Sequence, residues 1–268
     1  MDDKLIITSK GVIFKTSSNL SRPTSALLSK RGTISGFSKS SARRLRLFLL
    51  SYNIPSCTCF GLTLTVPWSC SLYLALRCYS IVWKRFRQRF IYRFPHSGLV
   101  YRHELQLRKM PHSHIICYLS PLDSVSLVEF HAFCVSAWCS CCPLAGSNLL
   151  SFSKYGVKVE FLDDSTRIFS YLADHTSKHK QAQLGFIGKQ WGIVNRSVFV
   201  STVSDVLSIP PRVSCLLQRF LSRIYRYCAR ADCVFGYKHL RRRKYASACF
   251  YSPSVVSRYL QYLIKEFT

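Results

Sequence analysis

The chain has 268 residues, a length that fits one catalytic domain with extensions or two small domains. Lys and Arg number 38 against 12 Asp and Glu, a formal charge of +26. Such a balance implies a polyanionic partner, nucleic acid before an anionic membrane surface, and the 48% apolar content supplies a sizeable core.

The start, Asp2-Asp-Lys4, is followed by no apolar h-region, so no cleavable signal peptide is expected. The 13 cysteines are scattered and odd in number, and they read as reduced thiols in a cytosol. Cys139-Ser-Cys141-Cys142 lacks a second ligand pair at zinc-finger spacing. Two uncharged stretches, 47–76 and 130–153, are broken by proline and polar residues and offer no run of ~20 apolar residues. No membrane partner is expected.

Residues 1–42 are expected to be a flexible basic arm, rich in Ser, Lys and Arg over 8–46. A short helix is predicted over 42–51. Phe60-Gly-Leu-Thr-Leu-Thr-Val66 alternates as a strand does, with Thr63 and Thr65 on one face. Residues 71–90 read as a helix, basic at its end through Lys84, Arg85, Arg87 and Arg89, which suits the helix dipole.

A β-hairpin is predicted over 100–119, turning at 108–111. Side chains two apart share a strand face, so His112 and His114 project together with Ser113 opposite. Glu104 or Gln106 can stand beside them. Two imidazoles and a carboxylate or amide oxygen make an open divalent-metal site. A helix over 125–142 with Trp138 buried and a strand over 155–162 follow. Asp163-Asp-Ser165 then starts a helix reaching to 180. On it Tyr171, His175 and Lys178 share one face. Gly185, Gly188 and Gly192 bracket a turn-rich segment that returns to the sheet at Ile193 and Val194.

The last part, 201–268, reads as a helical basic extension that binds DNA. A helix over 211–230 carries Arg219, Arg223, Arg226 and Arg230 as one stripe, with Leu216, Leu217, Phe220, Leu221 and Ile224 for packing. Arg241, Arg242, Arg243 and Lys244 form a second cluster, and Ser252-Pro253 opens a final helix.

In order, four stretches resemble the His-hydrophobe-His (HUH) rolling-circle replication initiators of small bacterial plasmids and single-stranded DNA phages. They are Phe60 to Pro67, Glu104 to His114, Tyr171 to Lys178 and Gly188 to Gly192. The resemblance covers about residues 43–200. It implies an α+β fold with a central antiparallel sheet flanked by helices. It further implies His112, His114 and Glu104 as ligands for Mg²⁺ or Mn²⁺, Tyr171 as nucleophile and Lys178 as phosphate partner. Ser113 stands where the family has an apolar residue, which implies a less buried opposite face. His175 stands where some phage members carry a second Tyr. The activity implied is origin nicking through a 5′-phosphotyrosine with release of a 3′-hydroxyl primer, in a bacterial cytoplasm. Its partners there would be origin DNA and a host helicase and polymerase. A relaxase, a single-strand transposase or a non-catalytic nucleic-acid-binding module are the other readings.

Overall fold

The computed structural model describes residues 2–8, 11–15, 37–66, 72–105, 110–142, 153–162, 171, 189–230 and 249–251. The elements begin with β1 (Asp3–Thr8), β2 (Gly11–Lys15), α1 (Lys39–Ser51), β3 (Tyr52–Asn53) and β4 (Thr58–Thr65). Next come α2 (Leu72–Arg93), β5 (Gly98–Leu105), β6 (Pro111–Leu119), α3 (Leu127–Cys141), β7 (Val157–Phe161) and β8 (Trp191–Val194). The chain closes with β9 (Val200–Ser201), β10 (Val203–Ile209), α4 (Pro211–Arg230) and β11 (Cys249–Tyr251). They fall into two units. One holds Met1–Gly32, Leu47–Tyr52 and Ser201–Thr268; the other holds Thr33–Arg46 and Asn53–Val200.

The second unit is built on a five-stranded sheet in the order β7-β4-β6-β5-β8, antiparallel at every pairing. Strand alternation gives it two unlike faces. One carries Phe60, Leu62, Leu64, Leu99, Tyr101, Ile115, Cys117 and Leu119, all buried in one core. Helices α2 and α3 cover this face because their apolar residues recur at helical spacing. Ala75, Tyr79, Val82, Trp83, Phe86 and Phe90 of α2 are buried there, with Phe130, Cys134, Ala137, Trp138 and Cys141 of α3. The start of α3 is fixed by a capping box: Ser126 accepts from the Glu129 amide, and the Glu129 carboxylate accepts from the Ser126 amide. Trp138, expected to be buried, is fully so, and its Nε1 donates to the Thr65 carbonyl at 2.9 Å. The α+β class and the antiparallel sheet flanked by helices match the sequence expectation.

The other unit has a four-stranded sheet in the order β10-β1-β2-β11. Here the structure differs from the expected arm over 1–42. Asp3–Thr8 and Gly11–Lys15 are paired strands, and α1 begins at Lys39. Leu5, Val12 and Phe14 hold them in place by packing with Leu217 and Leu221 of α4. The apolar runs are only three residues each, so the Ser, Lys and Arg around them dominate the composition. The extension over 201–268 likewise holds strands β10 and β11 besides its helix, and β10 pairs with β1 along its length. Helix α4 has the expected bounds, but Leu216, expected to pack, stands 51% exposed. Arg219 and Arg223 are exposed. The side chains of Arg226 and Arg230 lie outside the described residues. So do Arg241, Arg242, Arg243, Lys244 and the final helix.

Candidate metal centre

The hairpin β5–β6 places the first three site residues. Its register sets Glu104 directly opposite His112 and Arg102 opposite His114, ending at Leu105 opposite Pro111. Pro111, the last residue of the turn expected at 108–111, belongs to the strand, and residues 106–109 lie outside the described residues. On the other side β4 sets Thr63 opposite His114 and Thr65 opposite His112. Directly opposed residues in an antiparallel pair point to one face. Glu104, Arg102, His112, His114, Thr63 and Thr65 thus share the face turned away from α2 and α3.

The side chains meet there. Glu104 Oε1 lies 3.0 Å from His114 Nε2. The His112 and His114 ring centroids are 4.4 Å apart. One ligand atom from each of Glu104, His112 and His114 lies within 4.8 Å of the others, and all three residues are buried. Among the described residues this is the one group of metal-ligating side chains so placed.

The donors fit a divalent ion. Adjacent ligands of an octahedral ion with bonds of ~2.1 Å stand roughly 3 Å apart, close to the Glu104–His114 separation. The Thr65 hydroxyl meets His112 Nδ1 at 2.8 Å, and the Thr63 hydroxyl meets His114 Nδ1 at 3.5 Å. A ring whose Nδ1 is engaged by an outer group presents its Nε2 to an ion. The two threonines therefore select the same ring nitrogen on both histidines.

Tyr171 is the one described residue of the helix expected over 166–180. Its hydroxyl lies 2.8 Å from Thr63 Oγ1, and its ring centroid is 5.9 Å from that of His114. Burial pushes the phenol pKa well above its usual range, and the hydrogen bond with Thr63 opposes that shift. Gly61 makes room for the ring: a Cβ there would stand 2.8 Å from Tyr171 Cε2 and 3.0 Å from Glu160 Cγ. His175, Lys178 and Gln106 lie outside the described residues; Glu104 is the described carboxylate that stands with the two histidines.

Two further features were not anticipated from sequence. Arg102 is 1% exposed on the site face, with its guanidinium 3.8 Å from the Phe37 ring centroid and a hydrogen bond to the His103 carbonyl. Burial pulls its pKa down to about 10, and the Glu104 charge opposes the shift. The available signal was its two-residue spacing from Glu104 in an alternating strand.

The second feature corrects the expectation for Ser113. Its face is fully buried, because Ser113 is enclosed by polar partners on the helix side. Its Oγ meets His103 Nδ1 at 2.6 Å and also the Tyr79 hydroxyl, which itself lies 2.9 Å from His103 Nδ1. Trp83 and Tyr101 pack around the His103 ring. Burial first, then the charges of Arg102 and Arg87, hold His103 well below the usual imidazole pKa. Satisfied hydrogen bonds let a serine be buried where the resembled family has an apolar residue.

The nine cysteines whose side chains are described are free thiols, with Cys134, Cys141 and Cys142 in the core. No helix among the described residues is long and apolar enough to cross a membrane. In comparisons with protein-family models, curated proteins and solved structures, nothing matches this chain.

Proposed function

We propose that this protein is a metal-dependent DNA nicking and strand-joining enzyme that starts rolling-circle replication. The observation that carries the reading is the Tyr171 hydroxyl at Thr63, against His114 and beside the Glu104–His112–His114 group. The order of the four sequence stretches and the charge of +26 support it.

A divalent ion on His112, His114 and Glu104 would polarise a phosphoryl oxygen and neutralise developing charge, with Mn²⁺ the better match to two imidazoles and Mg²⁺ the alternative. The protein's own residues account for the rest. With Nε2 turned to an ion, His114 carries its proton on Nδ1 and can only donate there. Thr63 accepts that proton's hydrogen bond and points its own hydroxyl hydrogen at Tyr171. The phenolic oxygen thus meets a donor, which favours its ionised form. Tyr171 Oη then forms a bond to phosphorus while the bond to the 3′ oxygen breaks. The phenol proton passes to solvent and the 3′ oxygen takes up another. The products are a 5′-phosphotyrosine and a 3′-hydroxyl; reversal rejoins the strand. The Arg219 and Arg223 stripe of α4 serves as the duplex contact in this reading.

The test mixes the protein with Mn²⁺ and circular single-stranded DNA and looks for a covalent adduct on a denaturing gel. The wild type should give it, and Tyr171→Phe should not while still binding DNA. Adduct from Tyr171→Phe at the wild-type level overturns the nucleophile. DNA binding with no adduct from the wild type, with or without metal, leaves a binding module instead.

A further inference from the structure

Helix α2 turns one face to the core and leaves another in solvent. Its sequence holds Arg77, Lys84, Arg85, Arg87, Arg89 and Arg93 and no Asp or Glu. Arg85, Arg89 and Arg93 recur every four residues and are exposed, so they form one row. Lys84, Gln88 and Tyr92 form a second row beside it, also exposed. Successive members stand ~6 Å apart along the axis, the order of the spacing between neighbouring phosphates on an extended strand. The helix dipole favours cations only in the last turn. The helix runs to Arg93, past the end expected at 90, so Arg77, Lys84 and Arg85 lie outside that turn and the dipole does not account for them.

The row is held against α3. Arg89 donates to the Ala137 carbonyl at 3.3 Å and to the Ser140 hydroxyl. Between the helices lies a shallow, open depression of about 560 Å³, lined by Gln88, Arg89, Tyr92, Arg93, Phe133 and Ala137 among others. Tyr92 is 92% exposed at its rim. Glu129, the acidic residue of α3, is occupied in the helix cap, with Arg93 in electrostatic reach. Among the described residues no carboxylate pairs with Arg77, Lys84, Arg85, Arg89 or Arg93.

We propose that the α2–α3 face is a second nucleic-acid surface that takes a single strand. The phosphates lie along Arg85, Arg89 and Arg93, and one base stacks on Tyr92. A cationic row tracks a backbone, and an aromatic ring beside it stacks any base that is not paired. A duplex has no free base face for Tyr92. An anionic membrane is disfavoured because the exposed positions of α2 are mostly polar or charged, with Ile81 and Ile91 the exposed large aliphatic side chains among them. This face lies across the sheet from the metal centre. It holds strand without acting on it, and the inference is independent of the Tyr171 chemistry.

The test uses the full chain carrying Tyr171→Phe, in excess chelator, so that no covalent step contributes. Affinity for a fluorescent oligothymidylate is measured at several salt concentrations. Arg85→Gln with Arg93→Gln leaves the Arg89 anchor intact and should flatten the slope of log affinity against log salt by about 1.4, at ~0.7 per phosphate. Tyr92→Ala, on an exposed side chain, should weaken binding about fivefold or more with the slope unchanged. A bromouracil-bearing strand should photo-crosslink to Tyr92. Slope and affinity unchanged in both variants overturn the proposal. So does weakened binding to phosphatidylserine vesicles with unaltered oligonucleotide binding, which assigns the face to a membrane. Failure of the adduct assay alone leaves this result standing.

Discussion

The two faces of the five-stranded sheet each bury a histidine cluster, and the clusters behave differently. On the helix side His103, Ser113 and Tyr79 close on one another inside an aromatic shell. All three are neutral groups, and His103 is held neutral by burial. On the other side His112 and His114 face a carboxylate, and threonine hydroxyls engage their Nδ1 atoms. A buried polar cluster without a carboxylate needs only its own hydrogen bonds. A buried carboxylate among imidazoles calls for positive charge; Arg102 on the same face supplies part of it, and a divalent ion or a proton would supply more. One strand, β6, contributes to both, because alternation sends Ser113 one way and its neighbours the other.

The largest effects should come from breaking the carboxylate-bearing face. His112→Ala and His114→Ala should each remove Mn²⁺ binding by calorimetry and abolish the covalent adduct. Wild-type adduct yield in excess chelator would end the metal mechanism. Gly61→Ala should come next. Its methyl would press on the Tyr171 ring at 2.8 Å, and displacement of a reacting group by ~1 Å can cost 10²-fold. Adduct formation should fall by up to about that factor while Mn²⁺ affinity holds. A parallel fall in both would mean that the methyl disturbs β4 itself. Thr65→Val keeps the shape but removes the hydroxyl at His112 Nδ1. Loss of such an outer partner costs about 10–100-fold in metal affinity. Unchanged affinity would show that the strand alone orients the ring.

The carboxylate-bearing face was legible in sequence and the other was not, for a physical reason. Two-residue periodicity fixes direction within a strand, so the shared face of His112 and His114 could be read from spacing alone. The hairpin limited the third ligand to Glu104 or Gln106, and the observed register sets Glu104 opposite His112. Tyr171 at Thr63 depends on contacts between residues 108 positions apart, which no local pattern encodes; the motif order suggested it. The Tyr79–His103–Ser113 cluster joins α2, β5 and β6, and Ser113 alone looks like a wet-face residue. In the other unit β1 and β2 were lost in a basic composition, since five- and six-residue strands give short periodic signals. Strand β10 has exposed and half-buried side chains and no buried one, so burial leaves little alternation to read.

The smallest effects should come from the closed cluster, and they sharpen the contrast because they touch stability without touching metal. Ser113→Ala leaves the Tyr79 hydroxyl on His103 Nδ1, and Tyr79→Phe leaves the Ser113 hydroxyl there. Each single change removes hydrogen bonds but keeps His103 Nδ1 partnered in the cluster, so each should cost about 0.5–1.5 kcal/mol in urea unfolding. The double variant takes both hydroxyls from the same nitrogen. A buried group left unsatisfied costs ~1–3 kcal/mol, so the double variant should lose more than the two singles added together. That excess is the coupling measured by a double-mutant cycle. Acid should act on the same group. Above a pH of ~6.5 His103 is neutral folded and unfolded. Below it the unfolded chain takes up a proton that the folded site resists, and this group's contribution to stability falls by up to ~1.4 kcal/mol per pH unit. Mn²⁺ affinity of the folded single variants should match the wild type at neutral pH. Additive losses in the cycle would show that His103 finds another partner when both hydroxyls go. A loss of Mn²⁺ affinity in Ser113→Ala would show that the closed cluster sets the pitch of β6, coupling the two faces.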